Sequence, residues 1–95
     1  MDEAQRVVVS GRVQQVGYRD WMMRKARDLG VRGWVRNWSD GRVEMVAAGP
    51  REALSAFVDA SHEGPRLARI EQVDAQPTDE KILGRGFNKR FTLHV

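Results

Sequence analysis

The chain has 95 residues, enough for one domain with a real apolar core, and no cysteine, which excludes disulfides and thiolate chemistry. The formal net charge of +3 is concentrated: residues 11–42 carry eight Arg/Lys against Asp20, Asp28 and Asp40, a local +5, while residues 51–95 carry seven of each sign. Such a local field attracts anionic ligands, although a solvated basic helix face has the same composition. The polar start Met1-Asp2-Glu3-Ala4 is not followed by an apolar run suited to a signal or a membrane span, so a soluble cytoplasmic protein is expected.

In chain order, Gln5–Ser10 contains Val7-Val8-Val9 and reads as a buried strand. Tyr18, Met22, Ala26 and Leu29 then fall at helical spacing, and Gly30 suits the left-handed position that ends such a helix. Val31–Asn37 and Arg42–Ala48 read as a hairpin turning at Trp38-Ser39-Asp40-Gly41, where glycine supplies a positive φ. Pro50 suits the first position of a second helix that carries Leu54, Phe57, Val58 and Ser61 on one face and ends at Gly64-Pro65. Leu67–Ala75 is a fourth strand with irregular alternation that suggests a bulge. Gln76–Arg85 is a polar connection in which Asp79-Glu80 reads as an exposed pair. Phe87, Phe91, Leu93 and Val95 alternate with polar residues in a last strand over 86–95, and Lys89 interrupts its apolar face. The order β-α-β-β-α-β, with two helices on one face of an antiparallel sheet of four to five strands, is the α+β ferredoxin-like sandwich. Residues 1–95 are expected to form a single domain.

The segment Gly11-Arg12-Val13-Gln14-Gln15-Val16-Gly17-Tyr18-Arg19 joins the first strand to the first helix. A helix start exposes unpaired N–H groups and partial positive charge, and the amides of a preceding loop converge into an anion nest. Arg19 sits where the helix dipole disfavours a cation, and a bound phosphate gripped by its guanidinium would offset that. No Gly-Lys-Ser/Thr ends the loop and no Gly-x-Gly-x-x-Gly is present, so it is not a nucleotide loop. Asn37, at the end of the second strand, can donate and accept and so can orient a water; serving the hairpin turn is the plainer role for it. His62 and His94 have no partners at ligand or triad spacing. Trp21, Trp34 and Trp38 interleave with arginines, which suits either packing or base stacking.

The run Gly-Arg-Val-Gln-Gln-Val-Gly-Tyr-Arg resembles the acylphosphatase signature Gly-x-Val-Gln-Gly-Val-x-Phe/Tyr-Arg, and Gly33-Trp34-Val35-Arg36-Asn37 with Asp40-Gly41-x-Val43-Glu44 is similar to that family's second motif. Gly64-Pro65 and the closing aromatic segment also fit, so the resemblance spans nearly the whole chain. It implies hydrolysis of the carboxyl-phosphate anhydride of acyl phosphates without metal or cofactor. It places the phosphoryl group on the amides of Gln15, Val16, Gly17, Tyr18 and Arg19 and on the Arg19 guanidinium, with Asn37 positioning the water. Inorganic phosphate would be product and inhibitor, and a monomer without membrane or nucleic-acid partner is expected. Gln15 departs from the pattern, which has glycine there; if that position needs a positive φ, its side chain costs about 1–2 kcal/mol, and slower turnover is expected. A non-catalytic anion- or RNA-binding module on the same scaffold is the alternative.

Overall fold

The computed structural model describes residues 2–95. Five strands and two helices follow one another as β1 (Glu3–Arg12), α1 (Tyr18–Leu29), β2 (Arg32–Asn37), β3 (Val43–Gly49), α2 (Arg51–Ser61), β4 (Arg69–Pro77) and β5 (Phe87–Lys89). The sheet order is β4-β1-β3-β2-β5. The four long strands pair antiparallel, with Val7 opposite Met45 and Ala75, and Val35 opposite Met45. The edge strand β5 runs parallel to β2, so the sheet is mixed at that one edge. The fold is the expected ferredoxin-like sandwich. Among the described residues no helix is long and apolar enough to cross a membrane.

Period decides what each element buries. The valines at 7 and 9, Val35, Val43, Met45 and Ala47 point to the helix side, where Tyr18, Met22, Ala26, Leu54 and Phe57 meet them in one core. Phe87 closes that core at the edge, its ring centroid 5.4 Å from that of Phe57. Helix α1 ends where the sequence places its end, with Gly30 left-handed and Val31 N–H donating to the Ala26 carbonyl at 2.9 Å. Helix α2 begins one residue later than expected. Pro50 has ψ 152° and stands outside the helix as its cap, its carbonyl accepting from Leu54 N–H at 3.0 Å.

Two irregularities shape the site. The first is the bulge anticipated in β4. Pairing runs Ser10–Gln72 and then Gly11–Ile70, so Glu71 is the extra residue. A Cβ on Gly11 would lie 2.2 Å from the Arg69 carbonyl oxygen, so only glycine allows this approach. The second corrects the last strand, expected over 86–95. Val35 pairs with Lys89, an offset of 54, but Trp38 pairs with Leu93, an offset of 55. One extra residue therefore lies in 90–92, and it reverses the facing of the residues beyond it. Phe91, expected on the buried face, is 96% exposed.

The opposite face of the sheet is polar and closed. Glu44, itself buried, accepts from Arg6 Nε (2.8 Å), Arg36 Nε (2.6 Å) and Trp38 Nε1 (2.9 Å). Glu80 corrects a second expectation. It is half-buried over this face, taking Arg6 Nη2 at 2.7 Å and Trp34 Nε1 at 2.9 Å. A carboxylate placed beside the buried Trp34 indole and the half-buried Arg6 guanidinium satisfies both, and that draws the polar connection onto the sheet.

Candidate active site

The loop between β1 and α1 is built from alternating backbone hands. Gln15 is the one non-glycine residue with positive φ among those described, at 61°, and Gly17 follows at φ 83°, ψ 13° as the cap of α1. Between them Val16 packs against the core and fixes the depth of the loop. The first helical bond runs from Trp21 N–H to the Gly17 carbonyl at 3.0 Å. The amides of Gln15, Val16, Gly17, Tyr18, Arg19 and Asp20 therefore donate to no protein acceptor among the described residues. No side chain caps the helix either.

The loop faces a small cleft of about 120 Å³ lined by Val13, Gln15, Gly17, Tyr18, Arg19, Asp20 and Lys89. Arg19 is half-buried in it and forms no ion pair among the described residues. Tyr18 contributes backbone only. Its ring lies in the core at 1% exposure and its hydroxyl donates to the Ser61 carbonyl at 2.8 Å, so burial pushes the phenol well above its ordinary value. That bond ties the first residue of α1 to the last turn of α2, which holds the helix start in place under the cleft.

Asn37 ends β2 and does not line this cleft, but the hairpin that carries it is tied to the loop. The Gln14 side-chain amide donates to the carbonyls of Trp38 (2.8 Å) and Arg42 (2.9 Å), the two residues that flank the turn. Asn37 Oδ1 is buried and has no hydrogen-bond partner among the described residues. Such an orphan costs about 1–3 kcal/mol, and a water or substrate group donating to it would recover that.

Sequence reasoning missed Gln14 and Lys89. Gln14 sits within the motif, beside buried Val13, and its partners are carbonyls far along the chain, which no local pattern encodes. The clue to Lys89 was its break in the apolar alternation. Its ammonium reaches Asp20 Oδ1 at 2.7 Å across the mouth of the cleft. The hydrogen bond from Lys89, with the charges of Lys89, Arg19 and Arg24, holds the exposed Asp20 carboxyl below its usual range.

The tryptophans resolve toward packing. Trp34 is buried, with Arg36 and Arg90 stacked on its ring at 4.8 and 4.2 Å, so it offers no open platform to a base. Trp21 packs against the core, and Trp38 is bonded to Glu44 beneath Arg42.

Fold and loop together define a ferredoxin-like protein with an anion-sized cradle between its first strand and first helix. Comparison with known proteins agrees. The family described as Acylphosphatase matches residues 5–89. The acylphosphatase of Salinibacter ruber is 50% identical over 82 residues, covering 86% of each chain. That of Thermus thermophilus is 51% identical over 81 residues, covering 85% of this chain and 91% of the relative. The structure of an acylphosphatase from Coxiella burnetii superposes with a TM-score of 0.88 at 34% identity, over 94% of this chain and 93% of the other. The chain belongs to the acylphosphatase family.

Proposed function

We propose that the Gly11–Arg19 loop is the phosphoryl-binding element of an enzyme that hydrolyses acyl phosphates to a carboxylate and inorganic phosphate. The observation that carries this assignment is the run of unpaired amides from Gln15 onward beside the unpaired guanidinium of Arg19. Amides and guanidinium together provide a preorganised set of donors for the phosphoryl oxygens.

The chemistry asks little more. A water oxygen attacks phosphorus, the bond from phosphorus to the acyl oxygen breaks, and its electron pair leaves on the carboxylate. A carboxylate is a weak base, with an ordinary pKa near 4, so it departs without a proton. The transition state is loose, and positioning with charge stabilisation suffices. Asn37 Oδ1, buried and unpartnered, is suited to accept a hydrogen bond from the attacking water. One proton of that water stays on the phosphate and the other passes to solvent. The reading calls for no metal or cofactor and makes inorganic phosphate a competing product. It extends to a cytoplasmic monomer that acts on a small-molecule substrate without a nucleic-acid partner.

The test is hydrolysis of benzoyl phosphate in the presence of EDTA by the parent, Arg19→Ala and Asn37→Ala. Turnover by the parent with competitive inhibition by phosphate is expected. Loss of the Arg19 guanidinium should lower kcat/KM by about 10²–10³. Asn37→Ala should lower kcat by about 10², with a smaller change in KM, because it acts on the water. A parent that shows no turnover would overturn the assignment.

A further inference from the structure

The phosphoryl cleft holds a side chain of the wrong sign. Asp20 lines it together with Arg19 and Lys89. A bare carboxylate in a cleft of about 120 Å³ repels an anionic ligand and opposes what the Arg19 guanidinium offers. Here the carboxylate is not bare. Lys89 Nζ lies 2.7 Å from Asp20 Oδ1 and so joins β5 to the first turn of α1.

Strand parity brings Lys89 to this place. Phe87 is buried on the helix side of the sheet, and Lys89, two residues on, shares that face. In the parallel ladder Lys89 stands beside Val35, another core residue of the helix side, and Asn37 follows Val35 by two. Lys89 and Asn37 therefore share one face of neighbouring strands. An apolar residue at 89 would continue the core that Phe87 closes; the lysine brings a cation to the cleft instead.

The hold of Asp20 on this cation is light. Side-chain exposure is 42% for Lys89 and 61% for Asp20, and an ion pair so open to water is worth little. Asp20 keeps other support when the ammonium leaves it. It lies in the first turn of α1, where the helix dipole favours an anion, and the charges of Arg19 and Arg24 act on it as well. The long, flexible lysine stem allows the ammonium to turn from the carboxylate into the cleft that both residues line.

We propose that Lys89 is the second cation of the phosphoryl site: Asp20 holds its ammonium at the mouth of the free cleft, and on binding the ammonium turns to a phosphoryl oxygen. Arg19 matches one negative charge of a dianionic phosphoryl group and Lys89 the other. The inference rests on the phosphoryl assignment of the Gly11–Arg19 loop. Lys89 is then a substrate-binding residue, and Asp20 is a positioning residue that acts through it.

Inorganic phosphate, titrated by calorimetry into the parent, Asp20→Asn, Lys89→Met and the double variant, tests this without turnover. Asp20→Asn frees the lysine and removes a like charge, so phosphate should bind about fivefold tighter, and the gain should shrink as salt rises. Lys89→Met should bind phosphate about fivefold more weakly than the parent. The Asp20→Asn background decides, because a lysine that only screened Asp20 has nothing left to do there. Adding Lys89→Met to it should weaken phosphate binding by about tenfold, and adding Lys89→Arg should keep most of the affinity. Unchanged affinity on adding Lys89→Met overturns the proposal. An equal loss in Lys89→Arg also overturns it, since the effect would then belong to the strand and not to the charge. Benzoyl phosphate hydrolysis separates the proposal from the catalytic assignment. A parent without turnover whose phosphate binding follows this pattern sinks the hydrolase reading and keeps Lys89 as an anion ligand. A parent with turnover whose phosphate affinity ignores Lys89 keeps the hydrolase and removes the proposal. A parent that binds no phosphate overturns the proposal whatever its turnover.

Discussion

Arginine serves opposite ends in two regions of this molecule. On the sheet face opposite the helices Arg6 and Arg36 are each bonded to Glu44, and Arg6 also reaches Glu80. At the turn and the chain start, Arg42 pairs with Asp40 and Arg32 with Asp2. In the cleft Arg19 has no such partner among the described residues and sits among amides that have none there either. Both regions draw on the basic window 11–42, so the local +5 is not a uniform field. Three of its eight cations, Arg32, Arg36 and Arg42, are matched by carboxylates, and of the others Arg19 is the one that lines the cleft. A charge count therefore marks where to look, and pairing decides which charge is free.

Substitutions in the two regions should separate accordingly, the sheet face governing stability and the loop governing rate. The largest effect on stability is expected at Glu44. Removing it in Glu44→Ala leaves two guanidinium groups and an indole N–H without their shared acceptor. A loss of about 2–3 kcal/mol is expected in denaturant unfolding, at the low end for a buried pair because both arginines keep some contact with water. Turnover per folded molecule should be unaffected. Burial pushes the Glu44 carboxyl up, but the hydrogen bonds from Trp38, Arg36 and Arg6 together outweigh it and hold the group below its ordinary 4.5. A carboxyl depressed in the folded state adds stability above its unfolded value, and that stability is lost as pH falls through the folded value. Melting temperature should therefore drop steeply below about pH 4.5 in the parent and less steeply in Glu44→Gln. Parallel profiles would mean that the acid limb comes from elsewhere.

Gln14→Ala should have a smaller effect on stability, about 1–2 kcal/mol for two hydrogen bonds to carbonyls. Its effect on rate should be larger in proportion, because the tether sets the loop against the hairpin that carries Asn37. A fall of about tenfold in kcat with little change in phosphate inhibition is expected. A variant that loses phosphate affinity instead would show that Gln14 shapes the cradle itself.

The smallest effect is expected from Gln15→Gly. The backbone there already has the left-handed φ of 61° that glycine adopts freely, so the loop path need not change. Relief of the side-chain strain, less the extra freedom that glycine has in the unfolded chain, should leave a gain of about 0.5–1 kcal/mol in unfolding measurements. Turnover should rise by less than about fivefold. A larger rise would show that the Gln15 side chain obstructs the cleft as well as straining the backbone.

Much of the architecture was legible because it depends on local period. The helical spacing of Tyr18, Met22, Ala26 and Leu29, the stop at Gly30 and the turn at Asp40-Gly41 all appear in the structure at those places. The loop and Arg19 were legible as well, since a glycine-bounded strand-to-helix turn has a physical signature of its own. The features that escaped notice depend on distant partners. The alternation of Phe87, Phe91, Leu93 and Val95 predicts one continuous strand, but a bulge is set by how an edge meets its neighbour, and one residue of slip turned Phe91 outward. Glu80 looked exposed because the donors it meets, on Arg6 and Trp34, lie 74 and 46 residues away. Gln14 and Lys89 were hidden for the same reason.

The bulge also bears on what the sheet edges offer to another strand. A sheet that is not closed into a barrel has two edges, and each is a template for strand addition. Here β5 offers only three residues before the extra residue breaks its ladder, and Lys89 and Arg90 stand at the break. At the other edge β4 carries its own bulge at Glu71, exposes Arg69, Glu71 and Asp74, and ends on Pro77, which has no N–H to give. Neither edge presents the long, flat, apolar row that a fibril needs. The two bulges, one of which seats Gly11, thus also interrupt both edges along which another strand would have to pair.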